Sequence, residues 1–226
     1  MLDPMLLLGI DTCGPMGSVA LGRLNGSGVE ILGQVELEGR TYSATLVAAV
    51  GDLLAANGVK VRELGAIVAV NGPGSFTGVR VALSAVKGLA EAAQIPVVAV
   101  SRLEVLAAKA GALAAALDAH RHEVFLRLGW PGKQARELLA GEQELTAETA
   151  PPRIAVCDEA AAALLGTSWP GAELVRIAAP NAADALGLGA VRVAAGEFAD
   201  LALLDGHYLR RSDAEIFGET AGQKSA

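Results

Sequence analysis

The hydrophobic pattern of the first sixty residues predicts a small sheet followed by a helix. Residues 5–10 form a continuous apolar run, and residues 17–21 and 31–37 resume it after short polar interruptions, which is typical of neighbouring strands. Between residues 42 and 57 the apolar positions recur with helical spacing, and Asn57-Gly58 supplies a helix stop. The chain therefore begins with three strands, the third antiparallel, and a helix.

The next segment predicts a parallel crossover. Residues 64–70 are short, β-branched and apolar, as in a strand buried on both faces. A loop, a helix over residues 78–93 and a second buried strand over residues 95–100 follow. Strand, helix and strand in this order form a right-handed βαβ unit.

The second half begins in the same way as the first. Residues 113–117 are apolar and end in Asp118, as the first strand ends in Asp11, and residues 123–128 form the second arm of a hairpin. Residues 131–152 are interpreted as irregular, residues 154–156 and 174–177 as strands, and residues 159–165 and 181–197 as helices, the last capped by Asn181. We predict a duplicated α/β chain of two related lobes with mixed sheets flanked by helices.

Composition and charge narrow the function. The chain has 226 residues, of which 52% are hydrophobic and only 4% aromatic, so the core is built mainly from Ala, Val and Leu. A net charge of −7 opposes binding of a polyanion by this chain alone. The sequence shows no secretory signal and no apolar run long enough for a membrane span, and Cys13 and Cys157 have no zinc spacing. We expect a cytoplasmic protein with two free thiols and no membrane partner.

The most specific motif joins the buried strand at residues 64–70 to the following helix. Its glycines permit a sharp turn, and Ser75 or Thr77 can cap the helix. A helix N-terminus can also hold a phosphate, but the Lys-Ser/Thr pair of a Walker A loop is missing and Pro73 lacks an N–H donor. Both a structural turn and an anion site remain open. The motif consists of Gly72, Pro73, Gly74, Ser75, Phe76, Thr77, Gly78 and Arg80.

Other candidate chemistry is sparse. Asp11 and Asp118 follow equivalent strands, so a carboxylate pair for Mg²⁺ or a nucleotide contact, with Thr12 beside Asp11, is a weak candidate. His120 and His122 are interpreted as turn residues rather than metal ligands. A serine or threonine nucleophile would need an adjacent base, which the sequence does not provide. We therefore expect no catalytic residue, no metal and no bound cofactor.

The two N-terminal helices carry more apolar surface than one sheet can cover. This excess indicates either a partner helix or a small, alanine-rich core. We predict a partner interface formed by Tyr42, Leu46, Val50 and Leu53 of the first helix and by Val79, Leu83, Val86 and Leu89 of the second.

These motifs, taken together and in order, resemble the TsaB family over nearly the whole chain. The landmarks that carry the resemblance are Gly9-Ile10-Asp11-Thr12, Ser18-Val19-Ala20-Leu21, the run 72–80, Lys87-Gly88-Leu89, Asp118-Ala119, Glu123-Val124-Phe125 and Tyr208-Leu209-Arg210. The last of these resembles the closing strand of the family, so we predict a strand there. The string Gly-Pro-Gly-Ser-Phe-Thr-Gly at residues 72–78 is the most specific of them.

The resemblance implies an actin-like, Hsp70-like (ASKHA) fold and a role in making threonylcarbamoyladenosine in tRNA. Members of the family pair with a sister of the same fold, TsaD, which carries the metal and transfers threonylcarbamoyl to the tRNA adenosine next to the anticodon. An ATPase, TsaE, completes the complex. The TsaB subunit is a non-catalytic scaffold that contacts tRNA only indirectly, and its first two helices form the dimer surface.

The resemblance also sets the expected boundaries and one departure. We predict an N-terminal lobe at residues 1–101 with the partner-binding helices, a smaller lobe at residues 102–210 and a loose tail at residues 211–226. Most members carry His where this chain has Tyr42. A homodimer is expected when the partner is missing, and nucleotide contact only within the complex. The alternative is an autonomous small actin-like ATPase or sugar kinase.

Overall fold

Two five-stranded sheets dominate the computed structural model, which describes residues 4–26, 28–39 and 41–210. The first sheet contains β1 (Met5–Asp11), β2 (Met16–Asn25), β3 (Gly28–Glu38), β4 (Leu64–Val70) and β5 (Val97–Val100). The second contains β6 (Ala114–Asp118), β7 (Val124–Leu128), β8 (Arg136–Ala140), β9 (Arg153–Val156) and β10 (Glu173–Arg176). The helices are α1 (Tyr42–Ala56), α2 (Phe76–Ala93), α3 (Arg102–Lys109), α4 (Glu142–Ala147), α5 (Glu159–Ser168) and α6 (Ala182–Ala195).

The two sheets have the same topology. The strand order is β3-β2-β1-β4-β5 in the first and β8-β7-β6-β9-β10 in the second. In each, the first three strands in chain order are antiparallel and the last two are parallel to the first. This confirms the predicted duplicated α/β fold with mixed sheets.

The first sheet is covered on both faces. A Cβ on Gly9 would lie 2.6 Å from the carbonyl oxygen of Ala182, so α6 approaches the backbone of β1 directly. On the other face, Gly33 in β3 lies against Leu53 of α1, and α1 packs on α2. The central strands β1 and β4 are therefore buried between helical layers, as their continuous apolar sequences predict.

The second sheet buries its two faces in separate clusters. Ala114, Ala116 and Leu126 pack with α4 and α5, whereas Ala115 and Leu117 pack with α3. This alternation along β6 is the period-two pattern of a strand between two layers. Helix α3 also meets α6 through a bidentate ion pair between Arg192 and Glu104, so it joins the two halves.

Three secondary-structure predictions were wrong or incomplete. Residues 131–152, predicted as irregular, contain β8 and α4. Strand β8 has only five residues, Arg-Glu-Leu-Leu-Ala, and forms by pairing with β7. Helix α3 was missed. Residues 208–210 form an irregular segment, not a closing strand. The predicted tail at residues 211–226 lies outside the described residues.

The predicted lobe boundaries stay a prediction, but one helix bears on them. Helix α6 falls in the predicted second lobe, yet Ala185 and Leu186 belong to the hydrophobic core of the first sheet. Within the described residues, no helix is both long enough and apolar enough to cross a bilayer.

Candidate functional site

The loop between β4 and α2 makes the sharp turn that the sequence predicts. Gly72 and Gly74 have φ angles of +112° and +157°, which side-chain-bearing residues rarely adopt, and the Gly72–Pro73 peptide bond is cis. Ser75 is the N-cap of α2, and its hydroxyl accepts a hydrogen bond from the backbone N–H of Gly78 at 3.2 Å. The predicted capping role of Ser75 is confirmed.

Close backbone contacts hold this loop against the turn between β1 and β2. The N–H of Ser75 donates to the carbonyl of Cys13 at 2.8 Å, and the Thr12 hydroxyl donates to the carbonyl of Gly78 at 2.6 Å. A Cβ on Gly78 would lie 1.9 Å from the Thr12 carbonyl oxygen. The glycines of the motif therefore serve a close approach of two chain segments.

A cleft of about 1270 Å³ lies between the two halves beside this loop. One wall comes from residues 13–15, the start of α2 and Arg102, and the other from residues 117–121, Phe125 and Asp158. Residues 207–210 line it as well. The carboxyl ends of the parallel strands meet here, where open α/β sheets bind ligands.

Asp11 and Arg102 form a buried ion pair beneath the first wall. Asp11 accepts a hydrogen bond from the N–H of Cys13 at 2.8 Å, and its other oxygen lies 3.5 Å from Nε of Arg102. Burial opposes the charged guanidinium, but the negative groups around it, Asp11 foremost, together outweigh burial and raise the pKa of Arg102. Burial also raises the pKa of the Cys13 thiol, which donates to the Val70 carbonyl. Cys13 is thus a neutral, structural thiol.

Asp118 occupies the equivalent place in the second half. It accepts from the N–H of His120 and lies 2.9 Å from Nδ1 of the exposed His120 ring, while its own N–H donates to Asp158. Residues 120–122 all have φ near +60°. In the described part of the chain, no group of three or more His, Cys, Asp or Glu side chains is arranged to hold a metal ion.

Glu137, on β8, contacts side chains from three other segments of the chain beside the cleft. Its carboxylate accepts hydrogen bonds from the Ser101 hydroxyl at 2.6 Å and from Arg127 at 2.8 Å, and it lies 2.9 Å from Nε2 of His207. Burial alone would raise the pKa of Glu137, but the hydrogen bonds from His207, Ser101 and Arg127 outweigh it and lower the pKa. Because the N–H of His207 donates to Asn71, this cluster links both halves.

An aromatic and cationic cluster lies at the start of α2. The Arg80 guanidinium stacks 3.7 Å from the ring centre of Phe76, and the Tyr208 ring lies 5.0 Å from that of Phe76. Phe76 and Tyr208 line the cleft. Residues 208–210, predicted as a strand, thus contribute side chains to the cleft.

The side chains predicted to face a partner are mostly buried inside the chain itself. Tyr42, for example, is 6% exposed and donates its hydroxyl hydrogen to the Gly14 carbonyl at 2.8 Å. Leu89 is half-buried. The fully buried members are Tyr42, Leu46, Val50, Leu53, Val79, Leu83 and Val86. Their apolar spacing marks the core faces of α1 and α2, so they are corrected to core residues.

Sequence reasoning missed Arg102 and Glu137. Arg102 lies two residues after the end of a buried parallel strand, and a charge at that position is a signal for a residue at the ligand-binding edge of a sheet. Glu137 lies in the segment interpreted as irregular, so nothing in the pattern indicated its partners. The candidate residues Asp11 and Thr12 lie beneath the cleft, and Asp118 lines it.

The duplicated sheets and the cleft between them define an actin-like α/β protein. The family model described as TsaD: tRNA N6-adenosine threonylcarbamoyltransferase matches residues 34–148. The chain is 35% identical over 130 residues to "tRNA threonylcarbamoyladenosine biosynthesis protein TsaB" of Haemophilus influenzae, covering 55% of this chain and 53% of that protein. The Escherichia coli protein of the same name is also 35% identical over 130 residues, covering 54% and 53%.

A solved structure extends the comparison to nearly the whole chain. It is a crystal structure from Pseudomonas aeruginosa of an uncharacterized protein with similarity to peptidase YEAZ, with a TM-score of 0.72 and 30% identity. The match covers 91% of this chain and 100% of that one. The sequence matches, by contrast, span about half the length of the curated relatives. The chain belongs to the TsaB family.

Proposed function

We propose that this chain is a non-catalytic scaffold subunit that dimerises with a TsaD-type catalytic subunit in the threonylcarbamoylation of tRNA adenosine. A TsaE-type ATPase completes the proposed complex. Family membership supports the pathway, since the relatives are named for tRNA threonylcarbamoyladenosine biosynthesis. The observation that carries the scaffold role is an apolar helix face on the surface of α1.

The outer face of α1 is flat and built from small residues. Ala44, Val47, Ala48 and Gly51 are all exposed, and their spacing of three and four places them on one side of the helix. Val47 is 61% exposed, and its neighbours carry at most one methyl group. Small side chains allow a second helix to approach closely, which favours helix-on-helix packing. The interface we propose is thus this outer face, in place of the buried residues.

Helix α2 extends the same surface. It packs on α1 and exposes Ser84 and Gly88, again small residues. The net charge of −7 means that tRNA must be held mainly by a more basic partner. We propose that the N-terminal lobe, residues 1–101, presents this surface. Residues 102–210 form the second lobe, and helix α6 of that lobe packs on the sheet of the first.

Two hydroxyl groups at the glycine-rich turn, that of Ser75 in the motif and that of Thr12 beside it, have structural partners that support a non-catalytic role. Ser75 accepts from Gly78, and the Thr12 hydroxyl donates to the Gly78 carbonyl. In the described residues the hydrogen-bond partner of the His207 ring is Glu137, not Ser75 or Thr77. A nucleophile requires a base within hydrogen-bond reach, and these contacts do not supply one.

The test places one charge on each of two exposed valines. Val47→Glu buries an unpaired carboxylate if α1 meets a partner helix, and should weaken binding to the TsaD-type subunit at least ~100-fold. Val191→Glu is the matched control, because Val191 is 69% exposed and lies on α6, away from α1 and α2. Both variants should keep the circular dichroism of the parent. Full partner affinity in folded Val47→Glu would refute the proposed interface.

A further inference from the structure

Arg102 carries a buried charge with an unused hydrogen-bond donor. The side chain is 7% exposed, yet in the described part of the chain its buried Nε has no hydrogen-bond partner. Its contact with Asp11 is a 3.5 Å approach of Nε to the carboxylate, too long for a good hydrogen bond. A guanidinium has five N–H donors, and buried donors are normally satisfied.

The guanidinium reaches the wall of the cleft. Arg102 is one of its lining residues, and so is Gly14, where an added Cβ would lie 2.3 Å from a terminal nitrogen of Arg102. The carbonyl of the adjacent Cys13 accepts a hydrogen bond from the N–H of Ser75, the N-cap of α2. The charged group and the helix start are thus brought to the same wall by residues 13 and 14.

The start of α2 offers further donors at this wall. The N–H groups of Phe76 and Thr77 have no acceptor within the helix, since the first turn precedes any carbonyl that could pair with them. Both residues line the cleft. An 18-residue helix also presents the positive end of its dipole there. The N–H groups of a helix N-terminus and the guanidinium of an arginine both bind oxyanions in proteins.

Three other basic side chains along the cleft are already paired with acids. Arg210 contacts Glu123, His207 contacts Glu137, and His120 contacts Asp118. Arg102 differs from these three because Asp11 balances its charge while its Nε has no hydrogen-bond partner. We propose that the cleft is a binding site for a small oxyanion, a phosphate or carboxylate group, held between the Arg102 guanidinium and the N-terminus of α2.

The site has two opposing influences that make it testable. Asp11 lies close enough to Arg102 to compete with an incoming anion, so the affinity for a single phosphate should be modest, on the order of millimolar. Removing the charge of Asp11 should therefore strengthen binding, whereas removing that of Arg102 should abolish it. A purely structural ion pair would give neither change.

Titration calorimetry at constant ionic strength tests this with inorganic phosphate, acetate and ATP as separate probes. Arg102→Gln should weaken phosphate binding at least ~10-fold, and Asp11→Asn, which keeps an oxygen for the Cys13 N–H, should strengthen it about 10-fold. Arg23→Gln is the control, because Arg23 forms an exposed pair with Glu30 far from the cleft. Arg102-dependent binding of ATP that is tighter than phosphate would assign the anion to a nucleotide, and Arg102-dependent acetate binding to a carboxylate.

The binding test remains valid even if one of the variants is unstable. If Arg102→Gln is unstable, the double variant Asp11→Asn/Arg102→Gln removes both charges together and should fold but not bind. Phosphate binding that is equal in the parent and the double variant would overturn the proposal. So would unchanged binding in Asp11→Asn, or the absence of binding of all three probes up to tens of millimolar. These results leave the scaffold function untouched, because Val47 is on another surface.

Discussion

The two strand-end aspartates occupy equivalent positions in a duplicated fold but have different surroundings. Asp11 ends β1 and Asp118 ends β6, and each accepts a hydrogen bond from the N–H two residues later. Asp11 is buried against Arg102, whereas Asp118 faces the cleft beside the exposed His120. The same local turn thus holds a buried Asp11–Arg102 ion pair in one half and a solvent-exposed Asp118–His120 pair in the other.

The difference comes from what packs on each hairpin. In the first half the segment after β5 brings Arg102 beneath the turn, and α6 covers the sheet. In the second half the turn at residues 120–122 projects into the cleft with left-handed backbone. The burial of a charge, not the turn itself, decides how much each aspartate contributes to stability.

The largest predicted effect concerns the buried pair. Arg102→Ala should lower the free energy of unfolding by about 3–5 kcal/mol, because it leaves Asp11 charged and unpaired in the core. His120→Ala, the equivalent change in the second half, should leave the urea midpoint nearly unchanged, because the His120 ring is exposed. Similar midpoints for the two variants would erase the contrast.

The close approach of α6 predicts the next effect. Gly9 in β1 corresponds to Ala116 in β6 when the two aspartates are aligned. Gly9→Ala should cost about 1–3 kcal/mol, since the new Cβ would lie 2.6 Å from the Ala182 carbonyl oxygen. Thermal unfolding measures it, and Gly51→Ala, an exposed helical position with open space, should be neutral or stabilising. An unchanged unfolding temperature in Gly9→Ala would mean that α6 packs less closely on β1 than the structure shows.

The second half has its own buried carboxylate in Glu137, and its contribution to the free energy of unfolding should depend on pH in the acid range. Its folded pKa is lowered, so its contribution is fully present above the unfolded value of about 4.3 and is lost as pH falls through the folded value. Glu137→Gln should cost about 1.5 kcal/mol at pH 7. The gap between parent and variant should narrow in urea titrations below pH 4. A gap that is constant with pH would contradict the lowered pKa.

The smallest predicted effect is an increase in the free energy of unfolding. His122 is exposed with φ of +61°, a conformation that glycine adopts freely. His122→Gly should therefore stabilise the chain by about 1 kcal/mol, whereas His122→Ala should not, because alanine keeps the Cβ that causes the strain. Denaturant midpoints of the pair compare the two. Equal midpoints would show that this turn is unstrained.

The sequence predicted those features that depend on local pattern. The strands β1, β4 and β6, the cap at Ser75 and the capping of α6 by Asn181 follow from apolar runs and capping chemistry. The predicted partner face failed because helical spacing locates the apolar side of a helix and cannot tell core from interface. Val86 and Val47 are both apolar positions of one helical pair, yet only the second is exposed.

The cleft was beyond local pattern because its contacts join distant parts of the chain. Arg102 meets Asp11 across 91 positions and Glu137 meets His207 across 70. Strand β8 forms by pairing with β7, and its five residues, Arg-Glu-Leu-Leu-Ala, are too few and do not alternate strictly enough to predict a strand. The sequence motifs were enough to identify the family, whereas the side-chain contacts of the cleft could be identified only from the structure.

Reconstitution tests the scaffold role most directly. The measurement is threonylcarbamoyladenosine formed on tRNA by purified TsaD-type and TsaE-type subunits from the same organism, supplied with threonylcarbamoyl adenylate as the group donor and with ATP, with and without this chain. ATP hydrolysis by the chain alone is measured alongside. We predict no modification and no ATP turnover by the chain alone, modification only when all three proteins are present, and its loss with Val47→Glu but not with Val191→Glu. Modification by the other two subunits without this chain, or robust ATP turnover by it alone, would contradict the account.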